Sequence, residues 1–327
     1  FYANLVGGQD GVIFDGGSFV TSPSGDLLYQ APYFVEGLFI MDTDRAEAIE
    51  PKQQDAIAAA RGAIVLGIRD YLRKNGFSQV IIGISGGIDS ALVAALAVEA
   101  LGSDAVSGVF LPSAISSEES RDDAYQLAKN LAIKLVDVPI ADLVAASQAA
   151  IEGGVSGLAA ENLQARIRGM LLMALANQKN ALILTTGNKS EVAVGYNTLY
   201  GDTVGALAPI ADLYKTQVWE MARGMDSIIP QRIIDKPPTA ELRPDQKDED
   251  DLPPYEILDA ILKELIEENA SRDDLIAHGF PKLTVADVLS RYYRSEYKRG
   301  QLPPVIKVSP KAFGIGRRVP ITHRYRS

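Results

Sequence analysis

The sequence has no cysteine in 327 residues, so it can form no disulfide, no thiolate metal site and no thiol nucleophile. Histidine is nearly missing too: His278 and His323 are the only two, neither stands in a motif, and both read as structural or exposed. No apolar run approaches the length that spans a bilayer, and no signal-peptide pattern opens the chain. Positive charge is in short supply, with 32 basic residues against 42 acidic ones. The net charge of −10 argues against a general nucleic-acid or membrane-surface binder, the basic stretch from Arg317 to Arg326 being a local exception. These absences point to a cytoplasmic setting, with no nucleic acid and no membrane as partner. Apolar residues, by contrast, make up 47% of the chain, enough for one large α/β domain plus appendages.

The chain is organised around Val80-Ile81-Ile82-Gly83-Ile84-Ser85-Gly86-Gly87-Ile88-Asp89-Ser90. An apolar run of strand length ends in a Ser-Gly-Gly turn, and an alanine-rich helix follows from Ala91 to Ala100. Where a strand opens through glycines into a helix, backbone N–H groups converge on an anion and the helix N-terminus adds partial positive charge. Gly86 and Gly87 remove side chains that would block close approach and permit uncommon backbone angles. Asp89 is out of place in a plain phosphate cradle, because it repels phosphate. A Mg2+ ion bridging it to phosphate oxygens removes that conflict. The loop lacks the Gly-Lys-Ser/Thr ending of a Walker loop, and Gly83, Gly86 and Gly87 do not have the spacing of a dinucleotide fingerprint.

On either side the composition changes. Residues 1–48 carry short strand-like runs at Val12-Ile13-Phe14, Ser18-Phe19-Val20, Leu27-Leu28-Tyr29 and Leu38-Phe39-Ile40-Met41, separated by turns at Gly7-Gly8, Gly16-Gly17 and Ser24-Gly25-Asp26. Pro51 suits a first helical turn, and Ile57, Ile64, Ile68 and Leu72 form one apolar stripe along a helix over 52–74 that Asn75-Gly76 ends. Strands at 79–84, 105–111, 133–138 and 181–185 then alternate with helices at 90–101, 117–131 and 157–179. This order predicts an α/β fold with a doubly wound parallel sheet, with ligands at the carboxyl ends of its strands. Asp235-Lys236-Pro237-Pro238 and the run Asp245 to Asp251 read as a proline-rich and then acidic solvated loop, with helices near 255–268 and 284–298 to close the domain.

Ser85-Gly86-Gly87-x-Asp89-Ser90 after a strand resembles the pyrophosphate loop of the N-type ATP pyrophosphatases. The resemblance implies an adenine nucleotide α-hydrolase-like fold that cleaves ATP between its α and β phosphates. Five further stretches extend the likeness: Glu161-Asn162-Leu163-Gln164-Ala165-Arg166-Ile167-Arg168, Thr185-Thr186-Gly187-Asn188-Lys189-Ser190-Glu191, Tyr200-Gly201-Asp202, Asp212-Leu213-Tyr214-Lys215-Thr216 and Pro238-Thr239-Ala240-Glu241-Leu242. In this order they resemble the NAD synthetases, specifically the glutamine-dependent type with a fused nitrilase-type amidase domain. Gly7-Gly8-Gln9-Asp10 and Phe14-Asp15-Gly16-Gly17-Ser18 look like the tail of such an amidase. The resemblance therefore implies a remnant amidase tail over 1–48 and a synthetase domain over 49–327. The Glu, Lys and Cys of the amidase family have no assignable counterparts here.

The resemblance implies a reaction in which the nicotinate carboxylate of deamido-NAD attacks the α-phosphorus of ATP. Pyrophosphate leaves, and ammonia then displaces AMP to give the amide. It assigns ATP to Gly83, Ile84, Ser85, Gly86, Gly87, Ile88, Asp89, Ser90, Leu111, Arg121, Thr186, Lys215 and Thr239. Deamido-NAD falls to Asn162, Arg166, Glu191, Tyr196, Tyr200, Asp202 and Lys298. Asp89 and Glu191 match the Mg2+ carboxylates, and Asp89 and Lys215 the catalytic pair. Ammonia would come from glutamine in a full-length enzyme and from solution for this chain, and synthetase domains would pair as a homodimer, with helix 157–179 contributing. Leu199 stands where free-standing ammonia-using enzymes have a lysine, and Tyr297 where they have a histidine; both agree with the glutamine-dependent branch. Two other readings compete: an amide-forming pyrophosphatase of the GMP synthetase or asparagine synthetase kind, and a non-catalytic nucleotide-binding module.

Overall fold

The computed structural model describes residues 1–243 and 246–323. Asp245 of the acidic run and Arg324 and Arg326 of the basic stretch lie outside the described residues. The N-terminal part holds two antiparallel hairpins. In the first, β1 (Val6–Gln9) and β2 (Val12–Asp15) place Val6 opposite Asp15 and Gln9 opposite Val12. In the second, β3 (Phe19–Thr21) pairs with β4 (Leu27–Gln30) across a bulge at Val20/Thr21. Two expectations are corrected here. Leu38–Met41 forms no strand: no described strand pairs with it, and Leu38 and Ile40 are 88% and 86% exposed. Gly7-Gly8, expected as a turn, lies inside β1.

The reason is the helix beside it, α1 (Ala56–Lys74). A Cβ on Gly7 would lie 2.9 Å from the Asp70 carboxylate. The Gly8 N–H donates to Asp70 Oδ2 at 2.9 Å, and Lys74 Nζ donates to the Gly8 carbonyl at 2.5 Å. Glycine here allows a strand to press against a helix. The start of α1 also falls later than Pro51 suggested, because Asp55 caps it by accepting the Ala58 N–H at 2.9 Å.

The sheet that follows is parallel, in the order β7-β6-β5-β8. Its strands are β5 (Val80–Gly83), β6 (Val106–Phe110), β7 (Lys134–Asp137) and β8 (Leu182–Ile183). Between them run α2 (Ile88–Leu101), α3 (Glu118–Asn130), α4 (Ala141–Ala149) and α5 (Leu158–Lys179). Alternation along β5 explains the layers. Val80, Ile82 and Ile84 join the core with α1, α2 and α3, while Ile81 packs with Val109 and Ile183 against Ile167 and Ala176 of α5. Helix α2 is apolar nearly all round because it is buried nearly all round: every residue from Ser90 to Ala97 is enclosed. The doubly wound expectation is met, since the chain steps outward through β6 and β7 and then returns to lay β8 on the other side of β5. The point where the order reverses lies between β5 and β8, and that is where such sheets leave a crevice.

A helical layer completes the molecule: α6 (Lys189–Val194), α7 (Lys215–Arg223), α8 (Gln231–Asp235), α9 (Tyr255–Lys263), α10 (Arg272–Ala277), α11 (Lys282–Arg294) and α12 (Glu296–Arg299). The helix expected over 255–268 is α9 followed by a π turn at Glu264–Glu268, and the one over 284–298 is split into α11 and α12. Their apolar faces form a second core around Tyr255, Leu258, Ile261 and Val288. The run after Asp245 is not simply solvated. Asp248 is buried and accepts the Tyr255 hydroxyl at 2.8 Å, while Glu249 and Asp250 face water. Among the described residues, no helix is long and apolar enough to cross a membrane.

Candidate active site

The cleft opens at the carboxyl ends of β5 and β8. From β5 the chain passes through Ser85-Gly86-Gly87 into α2. Gly86 holds φ at +81°, and a Cβ there would lie 2.4 Å from the Ser120 carbonyl oxygen. Only glycine fits that position. The loop is fastened from within: the Ser85 N–H donates to Ser90 Oγ at 3.2 Å, and Ser90 Oγ donates to the Gly87 carbonyl at 3.0 Å. The turn thus presents the N-terminus of a buried 14-residue helix to the cleft.

From β8 the chain runs through Thr185-Thr186-Gly187 to α6, whose start carries a reciprocal cap. Asn188 Oδ1 accepts the Glu191 N–H at 3.0 Å, and Glu191 Oε2 accepts the Asn188 N–H at 3.2 Å. The other Glu191 oxygen lies 3.7 Å from Lys215 Nζ, at the start of α7. Lys215 also forms a close ion pair with Asp89, and Asn188 Nδ2 donates to the other Asp89 oxygen at 3.0 Å. The two strand ends and α7 thereby bring Asp89, Glu191 and Lys215 together. Lys215 is 2% exposed. Burial opposes its charge, but Asp89 and then Glu191 outweigh burial and hold the ammonium above its ordinary pKa. Burial, and next the like charge of Asp89, push the Glu191 carboxyl well above the carboxylate range.

Mg2+ takes oxygen ligands and favours one or two protein carboxylates completed by phosphate oxygens and water. Asp89 and Glu191 fit that demand, and Asp248 Oδ1, on a residue that also lines the cleft, is buried with no hydrogen-bond partner among the described residues. Among the described residues, no three acidic or imidazole groups close into a cage of their own.

Most of the residues singled out in the sequence line this cleft: Gly83, Ile84, Ser85, Gly87, Ile88, Asp89, Ser90, Leu111, Thr186, Glu191, Tyr196, Asp202, Lys215 and Thr239. Gly86 sits behind the lining, against Ser120. Five others lie away from it. Arg121 pairs with Asp137 at 2.6 Å on an exposed face, and exposed Arg166 donates to the Leu199 carbonyl. Asn162 accepts the Thr198 hydroxyl at 2.7 Å, and the Tyr200 hydroxyl reaches Gln301 at 2.6 Å. Lys298 donates to the carbonyls of Gly195 and Asn197, supporting the loop behind the cleft, and burial lowers its pKa.

The charged or amide lining residues that were not singled out in the sequence include Arg168, Asn197, Lys236, Glu241 and Asp248. Arg168 Nε donates to the Leu111 carbonyl at 3.1 Å, and burial lowers the guanidinium pKa. Both side-chain polar atoms of Asn197 are buried without a hydrogen-bond partner among the described residues. Gly169 was the available clue to Arg168. A glycine in mid-helix marks a close approach, and a Cβ on it would meet the Tyr200 carbonyl oxygen at 2.6 Å.

A family model described as NAD synthase matches residues 61–303. The glutamine-dependent NAD(+) synthetase of Rhodobacter capsulatus is 46% identical over 348 residues, covering 99% of this chain and 63% of the relative. The chain thus spans about three fifths of the length of the curated relatives it matches. Among solved structures, a glutamine-dependent NAD+ synthetase from Acinetobacter baumannii in complex with ADP aligns at a TM-score of 0.69 and 40% identity. That alignment covers 98% of this chain and 61% of the other. An NH3-dependent NAD synthetase from Campylobacter jejuni aligns at 0.64 and 29% identity, over 78% of this chain and 100% of that one. Since the model spans both strand ends and every helix that builds the cleft, the chain belongs to the NAD synthase family.

Proposed function

We propose that this chain amidates deamido-NAD to NAD at the expense of ATP, with Mg2+ and free ammonia. The observation that carries the reading is the buried Lys215 ammonium set between Asp89 and Glu191, where the phosphate loop and the β8 loop meet. The nicotinate carboxylate oxygen bonds to the α-phosphorus, and the bond to the bridging oxygen of the β-phosphate breaks. Ammonia then attacks the activated carbonyl carbon, a proton is released, and the C–O bond to AMP breaks. No side chain forms a covalent bond in this scheme; the protein holds the partners in line and balances charge. The N-terminus of α2 and Lys215 face the leaving pyrophosphate, while Asp89 and Glu191 would hold Mg2+, whose chemistry is to neutralise phosphate oxygens. Asp202 and Tyr196, which line the cleft, would contact the dinucleotide.

Within the same proposal, residues 1–48 are the tail of a nitrilase-type amidase and 49–327 the synthetase domain. The two β hairpins and the match that extends over 99% of the chain support that division. With no cysteine, the chain itself cannot release ammonia from glutamine by a thiol. Pairing of two synthetase domains through α5 is supported by its exposed Met170 and Met173. The test is to supply the purified chain with ATP, Mg2+ and deamido-NAD, with either ammonium or glutamine, and to follow AMP and NAD by chromatography. Both products should form with ammonium alone, and Asp89→Asn should lower kcat by about a hundredfold or more. Wild-type protein that makes no NAD, or a variant as fast as wild type, would sink the proposal.

A further inference from the structure

The strap that follows α8 carries a further cleft cation, Lys236, to which the proposed reaction gives no role. Lys236 and Glu241 both line the cleft, and both converge on Ser120 near the N-terminus of α3. Lys236 Nζ donates to Ser120 Oγ at 2.5 Å and lies 3.4 Å from the Glu241 carboxylate. Ser120 Oγ also accepts the Ser117 hydroxyl at 3.0 Å and donates its own proton to Glu241. Ser120 is the residue whose carbonyl oxygen backs Gly86. The Lys236–Glu241 pair therefore sits beside the phosphate loop.

Charge makes this placement significant. The described lining carries five carboxylates, Asp89, Glu191, Asp202, Glu241 and Asp248, against three cations, Arg168, Lys215 and Lys236. Lys215 is already committed to Asp89 and Glu191, and Arg168 Nε to a backbone carbonyl. A nucleotide polyphosphate entering such a cleft therefore finds few cations that are not already engaged. Glu241 is moreover a non-glycine residue held at φ +45°, in the sparsely populated left-handed region. Its contacts to Ser120, Lys236 and Thr239 keep it there.

We propose that Lys236 is a further phosphate-binding residue of the cleft, and that Glu241 occupies the phosphate's place against it until a polyphosphate displaces the carboxylate. The exchange swaps a carboxylate for a phosphate on the same ammonium, lets Glu241 leave a strained conformation and takes one negative charge away from the loop. The inference rests on the reading that the cleft binds ATP.

It is tested by calorimetric titration of the purified chain with ATP plus Mg2+ and, separately, with AMP, which lacks the β and γ phosphates. Lys236→Met should weaken ATP binding about tenfold to a hundredfold, the value of a charge-assisted hydrogen bond, and leave AMP binding unchanged. Lys236→Arg, which keeps the charge, should retain most of the ATP affinity. Glu241→Gln should tighten ATP binding, again without effect on AMP. Thermal melting of each variant shows whether it folds, and the Met-against-Arg comparison decides the matter even if Glu241→Gln does not. Equal losses for ATP and AMP, no loss for ATP, or weaker ATP binding by folded Glu241→Gln would overturn the inference alone. A wild-type chain that binds no ATP would overturn the nucleotide reading and this inference together.

Discussion

Glu191 serves two neighbours with one carboxylate. Oε2 closes the cap of α6 while Oε1 faces Lys215, so the same side chain orders its helix and sets the charge of the cleft. Asp89 and Glu191 were legible in the sequence because each stands in the first turn of the helix that follows a strand end, and parallel strands bring such helix starts to the same edge of the sheet. Arg166 and Arg168 were not separable in that way. They differ by half a helical turn, and only the finding that Ala165, Gly169 and Leu172 face the cleft puts Arg168 inside and Arg166 outside. Asp202 yields a prediction of its own. Although the side chain is exposed to cleft water, its enclosure between the cleft walls pushes its carboxyl up to about 6, against the Thr198 N–H, which reaches both carboxylate oxygens, and the attraction of Lys298. A carboxyl raised in the folded state adds stability that is fully present below its ordinary value and is lost as the pH rises through about 6. In urea titrations from pH 4 to 7, wild type should therefore lose stability relative to Asp202→Asn as the pH increases. The side chain meets cleft water, so the swing should be smaller than the full shift implies. A constant difference across that range would show that Asp202 ionises normally.

At the scale of elements, the Ser85-Gly86-Gly87 loop and its two flanking elements were readable from residue order alone, since an apolar strand, two glycines and an alanine-rich helix admit few other arrangements. The helix 157–179 was readable from its length. What could not be read was contact between distant pieces. Gly7-Gly8 has turn composition, yet Asp70 and Lys74, more than sixty positions on, hold it as a strand. Leu38–Met41 has strand composition, yet no partner lies beside it in the described residues. Gly86 exposes the same dependence inside the cleft, because the obstacle to any side chain there is Ser120 of α3. Gly86→Ala should cost about 2 kcal/mol or more, combining a left-handed backbone with a clash against a main-chain oxygen. The loop should also shift, raising KM for ATP. Chemical denaturation together with steady-state kinetics checks both, and a variant that melts and binds like wild type would mean that the loop can move off Ser120 at little cost.

Across the whole molecule, the strand order creates the cleft and the helical layer closes it, so the two must be held in register. A buried ionic node does this. Lys189, 0% exposed, reaches Asp212 at 3.0 Å, Glu267 at 3.2 Å and Ser309 Oγ at 2.7 Å, with its ammonium 4.6 Å from the centre of the Tyr214 ring. Asp212 in turn accepts the N–H groups of Val308 and Ser309. One lysine thus joins α6, which carries Glu191, to the lead-in of α7, which carries Lys215, and ties both to the turn after α9 and to the chain near 308. The sequence shows Lys189 only as one more basic residue in a motif, since its partners lie between 23 and 120 positions away. Burying a charge this completely is tolerable only while its partners remain. Lys189→Met should therefore destabilise the protein by about 3–5 kcal/mol, because Asp212 and Glu267 are left without their cation. Adding Asp212→Asn to that variant should recover part of the loss, since one of the stranded charges is then gone while the amide oxygen can still accept from the Val308 and Ser309 N–H groups. Denaturant titrations of the two single variants and the double variant form the cycle that measures this. If Lys189→Met is nearly neutral, or if the double variant is no more stable than the sum of the single losses predicts, the node is an occupant of the interior and the layers are held in register by apolar packing alone.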